Sequence, residues 1–171
     1  MVIPAGGEDD VVEVRAFSEI QSEFQRRVER IVWCSVATTD RQGRPRSRIL
    51  HPVWEYPNGR PVGSIATGRH TLKTKHLARN PYVSLSYWDP QHEQVTVDCR
   101  ASWEDGEQEK ARIWELFRTA PEPVGYDPAM IWSGLDDPSY GVLRLEPWRV
   151  EVWCLTEMAA GTRPRVWRPD S

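Results

Sequence analysis

Hydrophobic and polar positions divide the chain into a helical opening and a run of strands. Phe17, Ile20, Phe24 and Val28 recur at helical spacing, which predicts a helix with one apolar stripe, and Ser18 and Gln21 fit a capping box at its start. The segment 31–39 (IVWCSVATT) is a near-continuous apolar run of strand length, as for a strand buried on both faces. After the turn DRQGRP, a strand is predicted from Arg46 to about Trp54, and alternation puts Arg44, Arg46 and Arg48 on one side. EYPNGR at 55–60 carries an Asn-Gly hairpin signal; the small apolar strand 61–67 follows and Gly68 breaks it. Thr71 stands where a helix N-cap belongs, and that helix must stop by Asn80, because a residue before proline is pushed out of the α region.

The alternation then becomes cleaner. Val83, Leu85 and Tyr87 alternate with Ser84 and Ser86 across 82–88. In 94–104, Val95, Val97, Cys99, Ala101 and Trp103 face one way and polar residues the other. Asp105 and Gln108 fit the cap of a third helix, with Ala111, Trp114 and Phe117 on its stripe. Residues 119–139, rich in Pro, Gly and Asp, read as a long connection with one helical turn at 130–132; loops of that length in a domain usually have a function. Strands 140–146 and 149–155 follow, separated by Pro147. The pattern predicts a mainly β (α+β) domain, an antiparallel barrel with peripheral helices, over residues 17–156. Residues 1–16 and 157–171 read as flexible tails.

Composition narrows the function classes. A net charge of −3 and pI near 5.8 argue against nucleic acid or an anionic membrane as the main partner. No apolar run reaches a membrane span, and MVIPAGGEDD lacks the basic and apolar regions of a signal peptide, so the expected location is cytoplasmic. Cys34, Cys99 and Cys154 lie far apart inside strand-like segments and read as small buried hydrophobes, with no metal spacing and no disulfide framework. The histidines His51, His70, His76 and His92 also lack ligand spacing and read as solvated or capping groups, although His51 and His70 lie near the candidate site in sequence. Nine tryptophans are many for 171 residues, which points to packing at an interface or against a flat ligand.

The candidate chemistry lies where strand 61–67 gives way to the helix at Thr71. Thr67, Thr71 and Lys73 converge there with free backbone N–H groups, a donor set suited to a phosphate. Local pattern alone favours a plain cap with a solvated lysine, since caps far outnumber ligand sites. The segment 68–74 mimics a nucleotide P-loop, but Leu72 replaces the glycine before the lysine, so the backbone cannot wrap phosphates in that way. Arg44 and Arg46 read as a solvated strand edge. Arg48 leads into apolar Ile49 and Leu50, where a buried cation needs an anion.

The order of elements together with GRPRSRIL, T-x-x-x-T-x-K, HLARNPYVSLSY and EQV resembles the FMN-binding split β-barrel family, which includes pyridoxamine 5′-phosphate oxidase and the general-stress flavoproteins. The likeness spans about Phe17 to Leu155, with GYDPAMIW and PWRVEVW matching the family's C-terminal part. It implies an antiparallel split β-barrel, FMN at the interface of a homodimer, and an oxidoreductase that transfers a hydride between FMN and a small organic molecule. By position, Arg48 and Lys73 would grip the phosphate, with hydroxyls from Thr67 and Thr71 and the chain at Leu72 alongside. The backbone of Ile49 and Leu50 would lie beside the isoalloxazine ring, and Gln94 would contact flavin across the dimer. The likeness reverses the local reading of the anion site, because it connects Arg48 to the loop.

Three departures set this chain apart. Val53 stands where the oxidase has a lysine near its substrate, Leu72 replaces a basic residue, and RPRVWRPD lacks the oxidase's C-terminal arginine-and-histidine motif. Pyridoxamine phosphate oxidase activity is therefore not expected. Relatives of this fold also bind the deazaflavin coenzyme F-420 or haem, so a deazaflavin-dependent reductase and a non-catalytic flavin or haem module are the alternatives. No catalytic triad or paired-carboxylate motif competes, and a flavin enzyme needs none, because the cofactor carries the chemistry.

Overall fold

The apolar stripe at the start of the chain seeds the core. In the computed structural model, which describes residues 10–169, helix α1 (Gln21–Ile31) buries Phe24 and Val28, and a 3-10 turn before it (Phe17–Glu19) buries Phe17. The Ser18–Gln21 capping box does not form. Glu19 Oε1 accepts instead from the backbone N–H groups of Arg15 and Ala16, both at 2.9 Å, so the chain is capped at the 3-10 turn.

Nine strands among the described residues build one sheet: β1 (Val12–Val14), β2 (Cys34–Thr39), β3 (Pro45–Leu50), β4 (Val53–Glu55), β5 (Val62–Gly68), β6 (Tyr82–Trp88), β7 (Glu93–Glu104), β8 (Tyr140–Cys154) and β9 (Arg165–Trp167). The order is β1-β9-β8-β7-β6-β2-β3, with β5 on the first half of β8 and β4 on β5. Three further helices, α2 (Leu72–Leu77), α3 (Glu107–Thr119) and α4 (Leu155–Ala159), lie at the periphery. The mainly β reading holds, but the sheet is open and branched and does not close into the expected split barrel. The chain leaves β3 at His51–Pro52, and β4 then pairs with β5, so no ladder joins the β3 edge to the β4 edge.

The branch has a sequence cause. The two strands expected around Pro147 are one, because Pro147 sits opposite Cys99 at a register shift in the β7–β8 ladder. Proline lacks an N–H, so it is accommodated where the ladder is already interrupted. Before it, β8 pairs β5; beyond it, Val150–Val152 pair β9.

The two expected tails need correction. Val12–Val14 pairs in parallel with Arg165–Trp167, Val166 and Trp167 are buried, and the Trp167 ring packs edge-on to Phe17 at 5.2 Å. An isolated Val-Trp pair is too short to show a period, so its burial was not visible in the pattern. The remainder of those tails, 1–9 and 170–171, lies outside the described residues. Smaller shifts have similar causes. The 3-10 turn sits at Pro128–Met130, where Asp127 accepts from the Ala129 N–H, and Asp105 pairs with Arg69 instead of capping α3. Among the described residues no helix is long and apolar enough to cross a membrane.

Candidate functional site

Thr71 takes the N-cap position of α2, but its hydroxyl does not cap the helix. Thr71 Oγ1 donates to the Gly68 carbonyl at 3.3 Å and accepts from Lys73 Nζ at 2.9 Å, and Lys73 Nζ also donates to the Gly68 carbonyl at 2.9 Å. Lys73 is 7% exposed, and Thr67, one residue before Gly68, is also buried. Burial first, and the charge of Arg48 second, push the Lys73 ammonium down to about 8. Arg48 itself is half-buried on β3, donates to the Val36 carbonyl at 3.0 Å, and is held below its ordinary range by burial and by Arg46. Among the described residues no carboxylate contributes to either shift. Carbonyl oxygens satisfy the donors but do not neutralise two sheltered positive charges. An anion would.

Past Arg48, the same strand opens into a second feature. Ile49 (62% exposed) and half-buried Leu50 border an apolar cleft of about 310 Å³ with Trp33, His51, Ala66 and Tyr126; Met130 and Ile131 from the long connection close its other side. The connection is therefore part of the site. The segment 31–39 is not one strand: α1 takes Ile31, and Val32 is the centre of a γ-turn (φ 64°, ψ −61°) in which the Trp33 N–H donates to the Ile31 carbonyl at 2.7 Å. This is a strained geometry for a β-branched residue, and it turns Trp33 out to the cleft wall. Strand β2 then starts at Cys34 and alternates buried with half-buried positions, instead of being buried on both faces.

His51 lies at the base of the cleft. It is 7% exposed, its ring centroid lies 5.1 Å from Trp33 and 5.4 Å from Tyr126, and neither ring nitrogen has a hydrogen-bond partner. Burial pushes the imidazole below its ordinary pKa; the Val124 backbone opposes this, without making a well-formed hydrogen bond to either nitrogen. The reading of this histidine as solvated or capping is thus corrected. A lone histidine between Leu50 and Pro52 offers no spacing signal, and only the fold encloses it. His76 does act structurally, with Nδ1 2.8 Å from Thr38 Oγ1.

The structure does not bring two expected residues to this site. The Leu72 side chain is 59% exposed on the outer side of α2, bordering a groove with Arg41, Lys75 and Arg79. Gln94 lies on β7, three strands from β3, in a row with Trp88 and Trp153 and on the face opposite to buried Val97. At about 4.8 Å per strand and 3.3 Å per residue, it is roughly 17 Å from Arg48 along the sheet. A larger groove of about 630 Å³, bounded by Arg69, Asp105, Lys110 and Asp136, lies elsewhere; its Arg69 and Asp105 already pair at 2.8 Å. The smaller cleft beside the uncompensated cations is the better candidate.

The family model described as pyridoxamine 5′-phosphate oxidase matches residues 20–154. No curated protein matches the sequence. The fold is similar to that of a Clostridium acetobutylicum protein related to general stress protein 26 of the pyridoxinephosphate oxidase family (14% identity, 88% of this chain and 94% of that one, TM-score 0.68). It is also similar to a pyridoxamine 5′-phosphate oxidase-related, FMN binding protein of Nostoc punctiforme (15% identity, 84% and 86%, TM-score 0.59) and to General Stress Protein 26 of Bacillus anthracis (18% identity, 76% and 93%, TM-score 0.57).

Proposed function

Since the chain belongs to the pyridoxamine 5′-phosphate oxidase family, we propose that it is an FMN-dependent oxidoreductase acting on a small organic molecule. The observation that carries this reading is the pair Arg48 and Lys73, sheltered, like-charged and without a carboxylate, with Arg48 directly preceding Ile49 and Leu50 at the border of an apolar cleft. That donor set fits a phosphate, and the strip Ile49–Leu50 between grip and cleft fits a flat ring against backbone. Bound FMN would supply hydride acceptance and return. The chain's own residues do the rest. Arg48 and Lys73, with Thr67 and Thr71 beside them, fix the phosphate and so the depth of the ring, and Trp33, Tyr126 and Ile131 exclude water from the groove. Val53 is 7% exposed and packed in the second apolar cluster with Phe117 and Val142, so it presents no charge to a substrate phosphate; this supports a substrate other than pyridoxamine phosphate.

The proposal includes a homodimer. Gln94 cannot reach its own chain's grip, but it shares the outer sheet face with small Ser84 and Ser86 and with Tyr82 and Trp88, both 56% exposed. A second copy covering that face would bury the aromatics and bring Gln94 to the partner's ring.

The test is the absorbance spectrum of the purified protein, with mass spectrometry of the released cofactor. Flavin bands and the mass of FMN are expected. Colourless protein that ignores added FMN and takes up the deazaflavin coenzyme F-420 would overturn the cofactor assignment; a haem spectrum would overturn the oxidoreductase reading with it.

A further inference from the structure

A buried imidazole normally finds a partner, because leaving a buried donor or acceptor unmade costs about 1–3 kcal/mol. Four residues among those described have side-chain polar atoms that are buried and unpartnered, and His51 alone has two such atoms. Arg27, by contrast, loses only Nε, since its other nitrogens reach Glu23 and the Trp153 carbonyl. The Val124 backbone lies near the ring without making a well-formed hydrogen bond, and no other group in the packing pairs with either His51 nitrogen. Its neighbours Trp33, Phe117 and Tyr126 offer ring faces and edges, and no side chain bordering the cleft is acidic or basic. Burial lowers the imidazole pKa and so favours the neutral ring, with one N–H to donate and one lone pair to offer.

The cleft around it has a definite shape preference. Its volume, about 310 Å³, is at the lower limit for small-molecule pockets, which suits one or two fused rings and not a dinucleotide. Trp33 and Tyr126 give aromatic walls, Ile49 and Ile131 give apolar ones, and no carboxylate, lysine or arginine borders the cleft to pair with a charged ring. We propose that the cleft is a subsite for a flat, uncharged ring system with a polar edge, and that His51 makes the hydrogen bond that orients that edge. This rests on the oxidoreductase reading in one respect only: the ring held there is the molecule that exchanges a hydride with the cofactor gripped by Arg48 and Lys73. The cleft is walled by this chain's own residues, so its ligand preference is measurable with or without cofactor.

The probes are 1-naphthamide, a flat neutral ring with an amide edge, and 1-methylnaphthalene, which lacks the edge. Each is titrated calorimetrically into wild type and His51→Phe, and the imidazole nitrogens are followed by NMR. FMN binding is measured separately on the same preparations. In wild type the amide should bind at least tenfold more tightly than the hydrocarbon, with a shift of the His51 nitrogen signals. In His51→Phe that preference should vanish, hydrocarbon binding should persist, and the melting temperature should hold or rise because an unpartnered polar group has gone. If the folded variant keeps the amide preference, the subsite is wrong. Equal binding of both probes to wild type, or His51 signals that do not move on saturation, also overturns it. Failure to bind FMN with the amide preference intact overturns the cofactor reading and leaves the subsite standing.

Discussion

Lys73 ties the phosphate grip to pH in a way that a solvated lysine would not. Its ammonium sits at about 8 in the free protein because burial and the Arg48 charge both disfavour it. A bound phosphate, already doubly charged above its second ionisation near 6, would return Lys73 toward its ordinary range. Binding between those two values therefore takes up a proton. From the free value, affinity for FMN should fall about tenfold between about pH 7 and about pH 9, close to 1.4 kcal/mol. The same group gives the cofactor-free protein the opposite slope. Its folded pKa is lowered, so between about 8 and the ordinary 10.5 the unfolded chain binds more protons and stability rises with pH. The assay is fluorescence titration of FMN and of riboflavin across that range, alongside urea melts. Riboflavin lacks the phosphate and controls for titration of the ring, so its affinity should stay flat. Lys73→Arg, which does not titrate in this range, should flatten the FMN profile while keeping the charge. A flat wild-type profile, or a riboflavin slope equal to that of FMN, refutes the argument.

Arg48→Ala should weaken FMN by about 1.5–3 kcal/mol, the scale of a charge-assisted hydrogen bond, and leave riboflavin nearly unchanged; an equal loss for both ligands would remove Arg48 from the phosphate. Arg48→Ala chains mixed with Gln94→Ala chains, each poor in FMN binding alone, should regain about one intact site in two, because one site of the heterodimer carries both lesions and the other carries none. A stoichiometrically loaded monomer in light scattering would contradict the shared site. Arg27 is fully buried between Glu23 (2.6 Å) and Glu93 (3.4 Å), so Arg27→Met should cost about 3 kcal/mol in urea unfolding, and a near-neutral result would show the cluster to be dispensable. Arg26, Arg27 and Arg30 hold the Glu93 carboxyl below its ordinary value, so its stabilisation is present above that value and lost as pH falls through the depressed one; Glu93→Gln should show a shallower acid limb.

Local periodicity carried most of the strand content into view. The alternations at 82–88 and 94–104 appear as β6 and β7 within one residue, since a sheet with one buried face writes its register into every second position. The stripe Phe17, Ile20, Phe24, Val28 is buried as its spacing requires. Closure of the sheet could not be read in the same way, because it depends on which edges meet after His51–Pro52 and Pro147, and proline announces a break without saying what pairs beyond it. The docking of Val166 and Trp167 escaped because two apolar residues have no period. In the site, Lys73 and Thr71 were legible as a strand-to-helix junction, whereas their link to Arg48 needed tertiary structure or the family likeness. Leu72 shows the limit of position-matching: it is adjacent to Lys73 in sequence, yet its side chain faces away from the grip.

Unfavourable terms gather around the end of β3, and that clustering separates a binding site from ordinary irregularity. Arg48 and Lys73 repel each other without a counter-charge, His51 leaves two nitrogens unmet, and Val32 occupies a left-handed conformation next to Trp33. Each costs on the order of 1–3 kcal/mol. Spread at random, such costs would read as imperfect packing. Here β3 carries Arg48 and Leu50 and the chain leaves it at His51, the Trp33 ring lies tilted 5.1 Å from that of His51, and Ala66 and Gly68 on β5 border the cleft and the grip in turn. A core built only for stability would place a carboxylate by Lys73 and an apolar residue at 51, both single substitutions away from a better-satisfied protein. The chain instead holds cations where an anion belongs and an imidazole where a polar ring edge belongs, in β3 and the segments that follow β3 and β5. A ligand with a phosphate at one end and a flat ring at the other removes the first deficit, and a second flat molecule beside it removes the other.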